Sequence, residues 1–156
     1  MSVKRVRVYL DTSVIGGRFD AEFSAASSRF FAELADGRFI GVISDVVARE
    51  ILHAPPEVRR LVEAPSRIPW EYVREDAESI ALTDAYLAAG VVSAGFRDDC
   101  AHVALATVSR VDVLVSWNFR HIVHFDRIRG FNSVNLREGY GTIDIRSPLE
   151  VIAYGE

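Results

Sequence analysis

Apolar and polar positions nearly alternate over residues 3–10, the apolar ones mostly β-branched, and the run stops at Asp11. This predicts a first strand, followed by turn material through Gly16 and Gly17. Across Ser24–Ala35, Ala26, Phe30, Phe31 and Leu34 recur at helical spacing, with Gly37 as the stop. Residues 39–43 are continuously apolar around one glycine and read as a buried strand. Ser44 or Asp45 can cap a helix over residues 46–53, which Pro55 and Pro56 prevent from continuing. The stretch 54–70 still carries apolar residues and reads as a loop holding a short helix. A further helix is expected over 75–89, ended by Gly90, and another over 98–109. The latter is apolar around most of its circumference, as a helix packed between a sheet and other structure must be. A short Val/Leu strand over 112–116 follows. Residues 134–145 read as extended segments around Gly139 and Gly141. Ser147-Pro148-Leu149-Glu150 has capping-box spacing with proline at the first helical position.

Strands separated by helices imply right-handed crossovers and a mostly parallel central sheet, hence an α/β fold. Ligands of such sheets sit beyond the carboxyl ends of the strands, near a switch in strand order. Asp11, Ser44 and the segment Ser116 to Asn118 all fall at that edge.

A chain of 156 residues with 49% hydrophobic content suffices for one substantial core, and no repeat or polar linker divides it, so a single domain over 1–156 is expected. No run approaches a membrane span and no signal peptide is evident. The lone Cys100 cannot form an internal disulfide and lies in an apolar helical pattern, which suits a buried thiol in a reducing cytoplasm. A net charge of −4 argues against a generally basic surface, so contact with nucleic acid needs a local basic patch. Arginine can supply one, since Lys4 is the only lysine among 18 basic residues.

The acids carry the candidate chemistry. Asp11 can cap the turn after the first strand or present a carboxylate to a metal. Glu50 lies between Val46 and Val47 at 100° per residue, on the apolar stripe of its helix, where it needs either an arginine partner or a metal. Asp98 and Asp99 open a helix, where negative charge is favoured. Asp98 is better placed as the cap, leaving Asp99 as the ligand candidate on the arc shared with Val103 and Ala106. His102, one turn on, reads as a hydrogen-bonded structural residue. Carboxylates converging on one cleft repel unless protons or a cation relieve them. Without a Cys/His set at zinc spacing, oxygen ligation favours Mg²⁺ or Mn²⁺, and such an ion can activate water against a phosphodiester.

Taken together, VYLDTSVIGG, SDVVAREI, RDDCAHVALAT and VDVLVSWNFRHI resemble the PIN domain in order and spacing across essentially the whole chain. The resemblance implies a three-layer α/β/α fold with a central parallel sheet, and a metal-dependent endoribonuclease acting on single-stranded RNA. It also implies a role like the VapC-type toxins, with an antitoxin protein as partner and a homodimer. By motif position the catalytic and metal-binding acids fall on Asp11, Glu50 and Asp99. The fourth acid of many members is replaced here by Asn118, which can ligate through its carbonyl oxygen but carries no charge. A one-metal or weakly active enzyme follows, with Asp98 as a compensating ligand. Thr12, Ser13, Ser116, Arg120 and His121 are candidates for substrate contact. The alternative is a catalytically impaired PIN scaffold that binds RNA or a protein. Phosphotransfer fits poorly, because Ser13 breaks the Asp-x-Asp pattern and no lysine follows a late strand.

Overall fold

The computed structural model describes residues 4–63 and 65–152. Five strands, β1 (Val6–Leu10), β2 (Phe39–Ser44), β3 (Glu71–Val73), β4 (Val113–Val115) and β5 (Ile145–Arg146), form one sheet in the order β3-β2-β1-β4-β5. Every neighbouring pair is parallel, with Val8 opposite both Gly41 and Val113. Val3, the expected first residue of β1, lies outside the described residues.

Parallel strands need crossovers, and the helices that supply them cover both faces. They are α1 (Thr12–Gly17), α2 (Ser24–Ala35), α3 (Asp45–Glu50), α4 (Pro56–Arg59), α5 (Ala77–Ala88), α6 (Arg97–Val108), α7 (Phe125–Arg137) and α8 (Pro148–Val151). The two-residue period of β1 divides the core. Tyr9 points into a cluster with Leu82 and Tyr86 of α5, Val103 of α6 and Phe131 of α7, while Val8 and Leu10 point into one with Val14, Phe30, Leu34 and Val47. Cys100 to Thr107 of α6 are all buried, which accounts for the apolar circumference of that helix. The chain moves outward from β1 to β2 and β3, then crosses to β4 on the other side of β1. The switch point therefore lies between the carboxyl ends of β1 and β4, next to Asp11 and Ser116.

Several local expectations need correction. The segment after β1 is not a turn through Gly16 and Gly17 but helix α1, capped by Asp11, because Val14 and Ile15 reach the core. Helix α3 ends at Glu50, short of residue 53. Residues 134–145 are not extended throughout: Val134 lies in α7, whose Phe131 and Val134 face the core, and Gly139, at φ +89°, terminates that helix. Only Ile145–Arg146 of that stretch pairs as a strand. Asp98 does not cap α6. The helix is entered from a 3₁₀ turn at Ala94–Phe96 and starts at Arg97, without a side-chain cap.

Gly41 allows Trp70 to lie on β2. A Cβ at Gly41 would meet Cζ3 of Trp70 at 2.6 Å and Cδ2 of Leu34 at 3.2 Å. The indole is held in place by its Nε1–H bond to the Leu61 carbonyl, 2.8 Å. Gly41→Val is expected to cost roughly 1–3 kcal/mol, a melting temperature lower by roughly 2–12 °C. Adding Trp70→Leu should recover part of that loss in thermal melts, whereas additive losses would show that the two residues do not conflict.

Candidate functional site

The end of β1 is fastened to the end of β4 by hydroxyls. Asp11, 3% exposed, caps α1 through the Val14 N–H, accepts from Ser13 Oγ at 2.6 Å on Oδ1, and accepts from Ser116 Oγ at 2.7 Å on Oδ2. Ser13 Oγ in turn accepts the Trp117 N–H at 2.8 Å, and Ser116 Oγ accepts the Asn118 N–H at 2.9 Å. Asp11 is thus a cap and a member of the cleft at once. Burial raises its carboxyl above the ordinary range, although the charge of His102 and the two hydroxyls pull the other way.

Glu50, the last residue of α3, forms no ion pair with an arginine among the described residues. Its Oε1 accepts from Thr12 Oγ1 at 2.8 Å and lies 2.6 Å from Nε2 of His102. Neighbouring Arg49 turns instead to Glu75 and Asp98. Burial pushes the Glu50 carboxyl up, but the His102 bond and charge, with Thr12, outweigh it, and the net shift is down.

His102 of α6 joins Glu50 of α3 to Tyr9 of β1. It is buried, and its Nδ1 lies 2.7 Å from Tyr9 Oη, which lies 2.7 Å from Ser44 Oγ. Burial alone would lower the imidazole pKa. The bond to Glu50 and the charges of Asp11, Glu50 and Asp99 more than reverse that, so the imidazolium is favoured. Three acids from three separate elements therefore favour the charged form of one buried imidazole. The hydrogen-bonded role read for His102 in the sequence is what the structure contains, and the ring is buried as well. Its contact with Glu50 was not anticipated, nor was the Tyr9 hydroxyl inside the sheet; a polar atom on a fully buried strand position was the available signal.

Asp99 projects from the first turn of α6, with Oδ2 2.8 Å from Nδ1 of His121. Asp98 is drawn away by Arg49 at 2.9 Å and is half-buried. Asn118 spends its Oδ1 on the N–H groups of Arg120 at 3.2 Å and His121 at 3.0 Å, closing the turn after β4. Arg120 is exposed and reaches over the Phe96 ring.

The donors present suit a hard divalent cation. They are carboxylates and hydroxyls, and Oε2 of Glu50 and Oδ1 of Asp99 have no hydrogen bond among the described residues. As the side chains stand, no group of three or more His, Cys, Asp or Glu among the described residues is arranged to hold an ion. The imidazole of His102 occupies the charge-balancing position beside Glu50.

No family model matches the chain, and no curated protein matches it either. Among solved structures, the chain is similar to VapBC2 from Rickettsia felis bound to a DNA fragment from their promoter. The TM-score is 0.57 at 13% identity, covering 91% of this chain and 98% of that one. The five-stranded, all-parallel sheet in the order β3-β2-β1-β4-β5 defines a PIN-like α/β fold. The resemblance read from the four sequence motifs holds at the level of that fold.

Proposed function

We propose that the chain is a metal-dependent endoribonuclease hydrolysing single-stranded RNA, with Asp11, Glu50, Asp99 and Asn118 as its catalytic group. One observation carries this reading: at the switch point of a PIN-like sheet Asp11 bridges the ends of β1 and β4, and Glu50 meets His102 of α6, the helix whose first turn carries Asp99. Asp11, Glu50 and Asp99 would hold Mg²⁺ or Mn²⁺, with Asn118 and Asp98 as further candidate ligands. Such an ion supplies charge stabilisation at a phosphodiester oxygen and a water of lowered pKa. The chain's own residues prepare the place. Ser13 and Ser116 fix both oxygens of Asp11, Thr12 and His102 fix Oε1 of Glu50, and His121 fixes Oδ2 of Asp99. Each acid is thereby oriented before substrate arrives, which removes reorganisation from the reaction.

The likeness to VapBC2 favours an antitoxin as partner and a toxin role, and a homodimer is part of the same reading on the motif resemblance alone. No helix among the described residues is long and apolar enough to cross a membrane, and a cytoplasmic location accords with a lone, buried Cys100.

Cleavage of a mixed single-stranded RNA in Mn²⁺, Mg²⁺ or EDTA tests the reading. Cutting should require the metal and fall by at least about a hundredfold in both Glu50→Gln and Asp99→Asn. Equal residual cutting in wild type and variants would point to a contaminant and sink the proposal. The engagement of Asn118 in its own turn favours a second reading, an impaired scaffold that binds RNA or a protein. Asn118→Asp separates the two. A large gain of cleavage supports impairment, and no gain supports a working site as it stands.

A further inference from the structure

Beside the acids, on the far side of His121, lies a cleft of about 450 Å³ between the 3₁₀ turn before α6 and the first turn of α7. Phe96, Arg120, His121 and Arg127 line it, against a wall that includes Val92 and Ser93. No carboxylate lines it. The charge pattern is unlike that of the neighbouring surface, where Arg49 is paired with Glu75 and Asp98, and Arg97 with Asp84. Neither Arg120 nor Arg127 forms an ion pair among the described residues.

Arg127 is also poised. Its Nη1 donates to the Val91 carbonyl at 2.6 Å, which fixes the guanidinium plane. Its Nε is the one buried side-chain nitrogen or oxygen among the described residues without a hydrogen-bond partner. A buried guanidinium N–H without an acceptor is an unusual expense unless an acceptor arrives. His121 engages Asp99 through Nδ1, so its Nε2 remains free toward the cleft. Its ring lies 4.0 Å from that of Phe96, and Phe96 itself stays 39% exposed.

We infer that this cleft is a nucleotide subsite: Arg120 and Arg127 bind the phosphate of the residue flanking the scissile bond, and Phe96 packs against its base. The inference takes its ligand from the ribonuclease reading above. A guanidinium fork with unused donors matches phosphate oxygens, and the part of the Phe96 ring that Arg120 and His121 leave exposed accepts a base without sequence preference. His121 joins the two regions, since a strand seated against it lies next to Asp99. The subsite supplies the local basic patch that a chain of net charge −4 requires to hold RNA.

The test is fluorescence anisotropy of a labelled ten-nucleotide single-stranded RNA in EDTA, where nothing is cut, over a range of salt. Arg120→Ala should weaken binding roughly tenfold and lower the salt slope by about 0.7. Phe96→Leu should weaken it roughly tenfold at unchanged slope. Arg127→Gln should behave like Arg120→Ala; because Arg127 also supports Val91, its melting temperature is read alongside, and the exposed Arg120 decides if that variant is unstable. Uridine monophosphate should compete with RNA for wild type. Equal RNA affinity and slope in wild type and Arg120→Ala overturns the inference, as does absence of RNA binding by wild type, or uridine monophosphate that binds without displacing RNA. Cleavage in Mn²⁺ is read separately. RNA held through Arg120 but never cut removes the ribonuclease reading and leaves the subsite standing. Cutting with binding unchanged in Arg120→Ala does the reverse.

Discussion

Asp11→Asn is expected to lower RNA cleavage by about a thousandfold or more, some 4 kcal/mol of transition-state stabilisation, while making the metal-free protein more stable. Both effects have one cause. The carboxylate is buried, and burial raises its pKa over the ordinary 3.8 despite two hydroxyl donors. A carboxyl whose folded pKa is raised contributes stability that is complete below the unfolded value and lost as pH rises through the folded one. At neutral pH the Asp11 charge therefore works against folding. Asparagine retains an acceptor for Ser13 and the Val14 N–H, and the Ser116 hydroxyl can turn to accept from the new amide. In EDTA the variant should melt higher at pH 8, by about 2–4 °C for each kcal/mol recovered, and the difference should shrink toward pH 4. Mn²⁺ should reverse the order: saturation at a hundred times Kd adds about 2.7 kcal/mol to wild type and much less to the variant. A variant that melts lower than wild type at pH 8 in EDTA would show that the hydroxyls and helix cap outweigh desolvation, and that the charge is not stored strain.

The parts of this architecture that could be read from sequence are those where local pattern and tertiary environment agree. Strand β1 was legible because its buried end serves two cores at once, Tyr9 on one face and Val8 and Leu10 on the other, and α6 because an apolar circumference has no other stable use. Helix α7 was missed because its sequence, FDRIRGFNSVNLR, is largely polar and holds Gly130, whose missing side chain admits Val91. Gly139 then drew the reading toward extended structure, although its positive φ makes it the end of a helix. Glu50 and Asp99 were legible as charges on arcs that should be apolar, and Asp11 as an acid at the carboxyl end of a strand. The connection among them was not. Tyr9 and His102 are 93 residues apart, and Tyr9 and Ser44 are 35 apart, so nothing local announces that a tyrosine within the sheet will hold the imidazole that holds Glu50. Asp98 and Asp99 differ by a single helical step, and the choice of cap was decided by the 3₁₀ turn that carries the helix start back to Arg97.

His102→Leu is expected to destabilise the metal-free protein by about 3 kcal/mol, at the low end of the range for removing one partner of a buried pair, because the Glu50 side chain retains 30% exposure. The melting temperature should fall by roughly 6–12 °C. Leucine fills much of the volume, so the loss reports the orphaned Glu50 and Tyr9 groups more than a cavity. The pH profile identifies the imidazolium as the source. Glu50, with its pKa lowered from 4.5, contributes stability that is complete above that value and lost as pH falls through the folded one. His102, with its pKa raised from 6.5, contributes stability that is complete below that value and lost as pH rises through the folded one. In EDTA the pair is therefore strongest between about pH 4.5 and 6.5 and weakens on either side. His102→Gln can still hydrogen-bond Glu50 and Tyr9 without a titrating charge. Its melting temperature should lie between those of wild type and leucine variant, with the alkaline decline above pH 6.5 reduced to what Asp11 contributes. If the full decline survives in the glutamine variant, the buried cation is not what reconciles three carboxylates in one cleft, and protonation of the acids themselves must do so.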